Sequence, residues 1–190
     1  MKDSKRIVVA SGNAHKIAEI ADILPQFEFI SMKDAGFKGE IEENGQSFRE
    51  NALIKARAVS EALGVVALAD DSGLCVDVLG GAPGIYSARF SGGGDAENRA
   101  RLLQLLDGMD DRRAHFECAV CLYYPDGRTL FGVGATYGAI LDEERGGNGF
   151  GYDSLFFSDD IKKSFGEATE EEKNTVSHRF RALMDLRSKL

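Results

Sequence analysis

Val65-Val66-Ala67-Leu68-Ala69-Asp70-Asp71-Ser72-Gly73 decides how this chain is read. Five consecutive apolar residues have the pattern of a strand buried on both faces. An acidic pair at the carboxyl end of such a strand, followed by a Ser-Gly turn, stands where open α/β sheets collect ligands. Immediately upstream, Ser47-Phe48-Arg49-Glu50 has the Ser-x-x-Glu spacing of a capping box, and Phe48, Ala52, Ala56, Val59 and Leu63 recur at helical intervals up to Gly64. Nearer the start, the apolar run from Ile7 to Ala10 ends at Ser11-Gly12-Asn13, and Ile17, Ile20, Ala21 and Leu24 then mark one face of a helix that stops at Pro25. These stretches alternate strand and helix, so the chain is α/β at its start and the fold class is α/β.

Downstream, Gly80-Gly81-Ala82-Pro83-Gly84 and Ser91-Gly92-Gly93-Gly94 read as loops, the second capped by Asp95 before a helix carrying Leu102, Leu103, Leu105 and Leu106. Residues 116–124, the turn Pro125-Asp126-Gly127 and residues 129–136 predict a β-hairpin. A Gly-rich loop at residues 146–151 precedes a short strand, Leu155-Phe156-Phe157. An antiparallel hairpin inserted into an α/β order predicts a mixed sheet.

The 190 residues, 43% of them apolar, suffice for one domain with a sizeable core. With 31 Asp+Glu against 23 Lys+Arg the formal charge is −8, which repels polyanions and argues against nucleic-acid binding. A small anionic ligand remains compatible where a few lysines, a metal ion or a helix N-terminus converge. Met1-Lys2-Asp3-Ser4-Lys5-Arg6 leads into only four apolar residues, and no run approaches the roughly 18–20 that a membrane helix needs, so a cytoplasmic protein is predicted. Cys75, Cys118 and Cys121 form an odd set without a local His cluster. Cys118 and Cys121, three apart on a strand, face opposite ways, so all three are expected to be reduced structural thiols.

Strand alternation directs Asp70 and Asp71 to opposite faces, so one is expected to do chemistry, such as holding Mg²⁺ or activating water, and the other to support it. Glu42-Glu43 precedes the capped helix, where a solvated face and a metal ligand are both reasonable. Ser11-Gly12-Asn13 with Lys16 resembles a phosphate cradle, in which Gly permits close backbone approach and the helix N-terminus supplies free N–H groups. It has neither the P-loop nor the dinucleotide glycine pattern. Lys55 borders the apolar stripe of its helix, and Phe150, between two glycines on a flexible loop, suits stacking on a planar base, with Asp153 nearby as an acceptor. Thr169-Glu170-Glu171-Glu172 is a second capping box. On one continuous helix Lys173 and His178 diverge by about 140°, so a break near Asn174-Thr175 is expected, with Ser177 capping a new helix. Arg179 then stands in a first turn, where a cation needs an anion or acceptor.

Taken together, Ser11-Gly12-Asn13 with Lys16, Glu43, Phe48, Asn51-Ala52 with Lys55, Asp70-Asp71-Ser72-Gly73, the stretch from Leu79 to Arg89, Phe150-Gly151-Tyr152-Asp153 and the stretch from Lys173 to Arg179 resemble the inosine triphosphate pyrophosphatase (HAM1/RdgB-like) family, collinearly over nearly the whole chain. The resemblance implies a single domain over residues 1–190, with a long twisted mixed sheet and flanking helices in two lobes around a cleft. It also implies a homodimer and Mg²⁺-dependent hydrolysis of ITP, dITP and XTP to monophosphate and pyrophosphate, clearing deaminated purines from the nucleotide pool. By the same resemblance Asp71 is the proton acceptor and metal-linked acid, with Asp70 the supporting member of the catalytic pair and Glu43 a metal ligand. Ser11, Gly12, Asn13, Ala14, His15, Lys16, Lys55 and Lys173 would contact the triphosphate, and Ser72, Phe150, Gly151, Tyr152, Asp153, His178 and Arg179 would surround the nucleoside. Ser154 stands where the family often has proline, and Ser11 where threonine is frequent. Two rival readings are a nucleotide-binding regulator without hydrolysis, which would not require the acidic pair, and a Maf-like pyrophosphatase acting on pyrimidine triphosphates.

Overall fold

The structure is a computed structural model that describes residues 6–190; residues 1–5, on which the reading of the N-terminus partly rests, lie outside the described residues. The elements run β1 (Arg6–Val9), α1 (Ala14–Ile23), β2 (Glu28–Ser31), α2 (Phe48–Leu63), β3 (Ala67–Val76), α3 (Asp95–Leu105), β4 (Arg113–Tyr123), β5 (Thr129–Ile140), β6 (Phe156–Ser158), α4 (Glu170–Val176) and α5 (His178–Arg187). The six strands form one sheet in the order β2-β1-β3-β4-β5-β6. β1 is parallel to β2 and β3, whereas β6 is antiparallel to β5, so the sheet is mixed as the element order predicts. Among the described residues no helix is long and apolar enough to cross a membrane.

Two compact units divide the chain, Met1–Asp71 with Cys118–Gly134 and Arg179–Leu190, and Ser72–Glu117 with Ala135–His178. In the first unit, strand alternation sorts side chains into two apolar clusters. Ile7, Val9 and Leu68 join Ile20 and Ile23 of α1 and Ala182, Leu183 and Leu186 of α5. Val8, Ala67 and Ala69 join Ala52, Ala56 and Val59 of α2. Thus α1 and α5 cover one face of β1 and β3 while α2 covers the other, and Cys118 and Cys121 fall in opposite clusters. The second unit has its own core, where Leu74 and Val76 of β3 meet Leu102, Phe116, Phe156 and Phe165.

Several boundaries differ from the sequence reading. The buried strand does not end at Asp70-Asp71, and Ser72-Gly73 is not a turn: β3 continues to Val76. Local turn chemistry loses here because Leu74 and Val76 bury completely and β3 is paired between β1 and β4. Asp95 is the first helical residue of α3 rather than its cap; Gly94 occupies the cap, and the Glu97 carboxylate accepts from its N–H. In α2, Ser47 Oγ accepts from Glu50 N–H as expected, but Glu50 reaches back to Gln46 N–H instead of closing the box on Ser47. Gly64 ends α2 in the left-handed conformation (φ 67°), and Thr169 with Glu172 forms the complete capping box. The interruption of the last helix falls at Ser177, whose extended backbone (ψ 156°) separates α4 from α5, slightly later than Asn174-Thr175.

Candidate active site

Because β3 remains regular, Leu68 and Asp70 share one face and Ala69 and Asp71 the other. Each carboxylate therefore meets a different set of helices. On the α1/α5 face, Asp70 Oδ2 accepts from Arg179 Nε and Nη2 at 3.2 and 2.9 Å, and Lys16 Nζ lies 3.1 Å away. Arg179 Nη1 donates to Glu19 of α1. Asp70, Glu19 and Arg179 are all buried. Burial alone would raise the Asp70 pKa, but Lys16, Arg179 and Lys55 outweigh it and hold the carboxyl well below the usual carboxylate range. The acceptors that a first-turn arginine requires are thus Asp70 and Glu19.

On the α2 face, Lys55 Nζ donates to Asp71 Oδ1 at 3.1 Å and to Glu43 Oε2 at 2.9 Å, while Asn51 Nδ2 donates to Asp71 Oδ2 at 3.1 Å. Asn51 and Lys55 stand four residues apart on α2, one turn, so both reach the same strand residue. Of the pair Glu42-Glu43, it is Glu43 that joins this group. Burial would lower the Lys55 pKa, but Asp71, Asp70 and Glu43 raise it above the ordinary lysine value. One ammonium is shared between two contacting acids, Asp71 and Glu43, so each receives only part of its charge. Asp71 accordingly lies above the ordinary aspartate value, pushed up by burial and by Glu43 against the pull of Lys55 and Asn51.

The Ser11–Lys16 segment is more self-contained than the phosphate-cradle reading predicts. Asn13 caps α1 by accepting from His15 and Lys16 N–H at 3.0 and 3.2 Å, and Ser11 Oγ accepts from Asn13 N–H, so several first-turn donors are already used. Gly12 and Ala14 are exposed on it, and no atom lies within 4 Å of where a Cβ on Gly12 would stand.

The remaining candidates lie in the second unit. Asp153, buried, accepts from Phe150 N–H at 2.9 Å and pairs with buried Lys173 at 2.8 Å, whose Nζ also stands 4.8 Å from the Phe150 ring centroid. Gly151 N–H donates to Asp95 and Gly151 carbonyl accepts from Arg99, while Tyr152 Oη donates to the Ser87 carbonyl. The Phe150 loop is therefore tied down, not flexible, because α3 and Asp153 satisfy its backbone. Gly149 (φ 76°) leaves room for Asp153, whose carboxylate a Cβ there would overlap. Ser72 lies within β3, and His178, buried, stacks on Phe116 with ring centroids 4.8 Å apart and planes 14° apart.

The residues assigned by resemblance to triphosphate and metal fall in the first unit, except Lys173; those assigned to the nucleoside fall in the second, except Arg179. The structure groups Lys173 with Phe150 and Asp153, and Arg179 with Asp70 and Glu19. Glu19 and Asn51 escaped role assignment from sequence. Glu19 had one signal, a carboxylate next to Ile20 on the buried stripe of α1. Asp95 and Arg99, which pin the loop from more than fifty positions away, gave none.

The description "Ham1 family" belongs to the family model that matches residues 7–189. The chain is 47% identical over 187 residues to the dITP/XTP pyrophosphatase of Campylobacter jejuni subsp. doylei, covering 94% of this chain and 93% of that protein. It is 43% identical to the dITP/XTP pyrophosphatase of Clostridium perfringens, covering 98% and 97% of the two. Among solved structures, the Ham1 protein of Staphylococcus aureus superposes with a TM-score of 0.88 at 39% identity, with 97% of each chain covered. The HAM1 protein of Coxiella burnetii gives 0.87 at 38% identity, again with 97% of each covered. Matched along nearly its full length by the family model, by curated relatives and by solved folds, the chain belongs to the Ham1 family.

Proposed function

We propose that this protein hydrolyses the deaminated purine nucleoside triphosphates ITP, dITP and XTP to the monophosphate and pyrophosphate. The observation that carries the chemistry is the Glu43–Lys55–Asp71 group, in which one carboxylate from the segment before α2 and one from β3 share a single ammonium. Asp71 accepts the proton of the attacking water, with Lys55 and Asn51 each holding one of its carboxylate oxygens in place. Lys16 and Lys55 bind triphosphate oxygens, exchanging part of their contact with Asp70 and Asp71 for phosphate. Asp70 and Arg179 act as support, fixing Lys16 from a buried ion pair.

Mg²⁺ fits the donor set, since Glu43 and Asp71 offer hard oxygens already close enough to contact one shared cation. Those two residues would hold it, and when bound it supplies charge neutralisation at the phosphate oxygens. Phe150 stacks on the base beside Lys173, and His178 donates to the purine 6-oxygen. An adenine amino group there leaves a donor unmatched, at a cost of about 1–3 kcal/mol.

Pyrophosphate release from ITP, XTP, dTTP and GTP, each with and without Mg²⁺, tests this reading. Turnover of ITP and XTP well above dTTP and GTP, and only with Mg²⁺, is the expected result. Preference for dTTP would move the protein to the pyrimidine class, and binding without release would make it a regulator. A cytoplasmic homodimer, the state implied by the family resemblance, belongs to the same proposal and is checked by light scattering on the purified chain and by cell fractionation.

A further inference from the structure

Apart from the side chains assigned to the proposed reaction, Cys75 near the end of β3 meets His115 and Glu117 on its sheet neighbour β4. His115 and Glu117 are two residues apart, so they project from the same face of β4. Taking one ligand atom from each side chain, the thiol sulfur, an imidazole nitrogen and a carboxylate oxygen all lie within 4.8 Å of one another. Tetrahedral coordination at zinc bond lengths puts ligand atoms roughly 3.3–3.8 Å apart, so small side-chain rotations close the group around an ion. Among the described residues no other three His, Cys, Asp or Glu side chains converge in this way. The sequence shows no such site because its members come from two strands forty positions apart rather than from a local Cys/His spacing.

We propose that Cys75, His115 and Glu117 form a binding site for a zinc-class divalent cation, independent of the oxygen-only Glu43–Asp71 pair. A sulfur–nitrogen–oxygen set favours Zn²⁺ or Co²⁺ over Mg²⁺, because thiolate and imidazole are softer donors than a hard, strongly hydrated ion accepts. Binding replaces the thiol S–H bond by an S–metal bond and releases the proton to solvent, with no change of oxidation state. Asp77 Oδ1 lies 3.8 Å from His115 Nδ1, beyond hydrogen-bond distance but near enough to add negative charge beside the site. Cys75 is buried while the His115 side chain is 27% exposed, so the ion reaches the thiol from the imidazole side, and three protein ligands leave a fourth position for water.

The test is a Co²⁺ titration of the full chain in excess Mg²⁺, read by the near-ultraviolet thiolate-to-cobalt charge-transfer band. The band is expected to saturate at about one equivalent, to disappear on adding Zn²⁺ and to be absent in Cys75→Ser. His115→Ala and Glu117→Gln, at partly exposed positions that leave the thiol in place, are expected to weaken Co²⁺ binding about tenfold or more. Zn²⁺ should also raise the thermal midpoint of the wild type more than that of His115→Ala. Absence of the band in the wild type, its survival in Cys75→Ser, or unchanged affinity in both surface variants overturns the proposal. None of these readouts involves nucleotide hydrolysis, so the outcome stands apart from that of the proposed function.

Discussion

Arg179 donates through two guanidinium nitrogens to a single oxygen of Asp70, 109 residues earlier in the chain, and Lys16 contacts the same oxygen. With Glu19 on the remaining guanidinium nitrogen, two acids and two bases close a network around the first turn of α5. Removing one member of such a network strands a buried charge. Arg179→Met is expected to destabilise the fold by about 3–5 kcal/mol. Urea denaturation at pH 7 checks this, and a loss under about 1 kcal/mol would mean that the network carries little stability.

The same network sets an acid limit. The folded pKa of Asp70 lies below its unfolded value, so its contribution is complete above about pH 4 and is lost as pH falls through the folded value. Asp70→Asn should therefore lose most stability relative to wild type at neutral pH and converge with it in strong acid. Parallel urea curves at pH 7 and pH 2.5 measure the convergence.

Asp71 behaves oppositely. Its folded pKa is raised, so the stability it contributes is present below the unfolded value and lost as pH rises through the folded one. Asp71→Asn, which cannot ionise, is therefore expected to gain in thermal midpoint relative to wild type as pH rises from about 4 to 7. Pyrophosphate release from ITP should fall by roughly 10²–10⁴ in the same variant, the usual contribution of a general base. Retained turnover would remove Asp71 from the proposed role.

The Phe150 loop depends on Asp95 through the Gly151 N–H. Asp95→Ala removes an exposed acceptor without opening either core, so the thermal midpoint should move little. If the loop holds the base, KM for ITP should rise roughly three- to tenfold, the worth of one ordinary hydrogen bond of about 0.5–1.5 kcal/mol. An unchanged KM would separate this loop from substrate.

Gly12 offers the converse case. A Cβ at this position meets no protein atom within 4 Å, so the fold itself does not require glycine there. Gly12→Ala is expected to stabilise by about 0.4–1 kcal/mol through the unfolded chain. It should nonetheless weaken ITP binding if the backbone at Gly12 approaches phosphate closely. Calorimetry together with KM for ITP resolves the two effects; tighter folding with unaltered KM would exclude the close approach.

Helical periodicity and capping chemistry located α1, α2 and α4 from sequence, because each is written in residues three or four apart. The hairpin at Pro125-Asp126-Gly127 was equally legible, being a local turn between two β-prone runs. The extent of β3 was not. Asp-Ser-Gly carries turn chemistry, and only pairing on both sides with β1 and β4 shows that the strand passes through it to bury Leu74 and Val76.

For Asp70 and Asp71, the sequence by itself determined that they face opposite ways, since alternation is a property of the strand backbone. It also determined, through motifs spread over the chain, the family to which they belong. Only the tertiary structure decided what each one faces. α1 and α5 bring Lys16, Glu19 and Arg179 to Asp70, whereas α2 and the segment before it bring Asn51, Lys55 and Glu43 to Asp71. Which helix covers which face depends on the packing of apolar stripes far apart in sequence, and that packing gives two adjacent aspartates opposite pKa shifts.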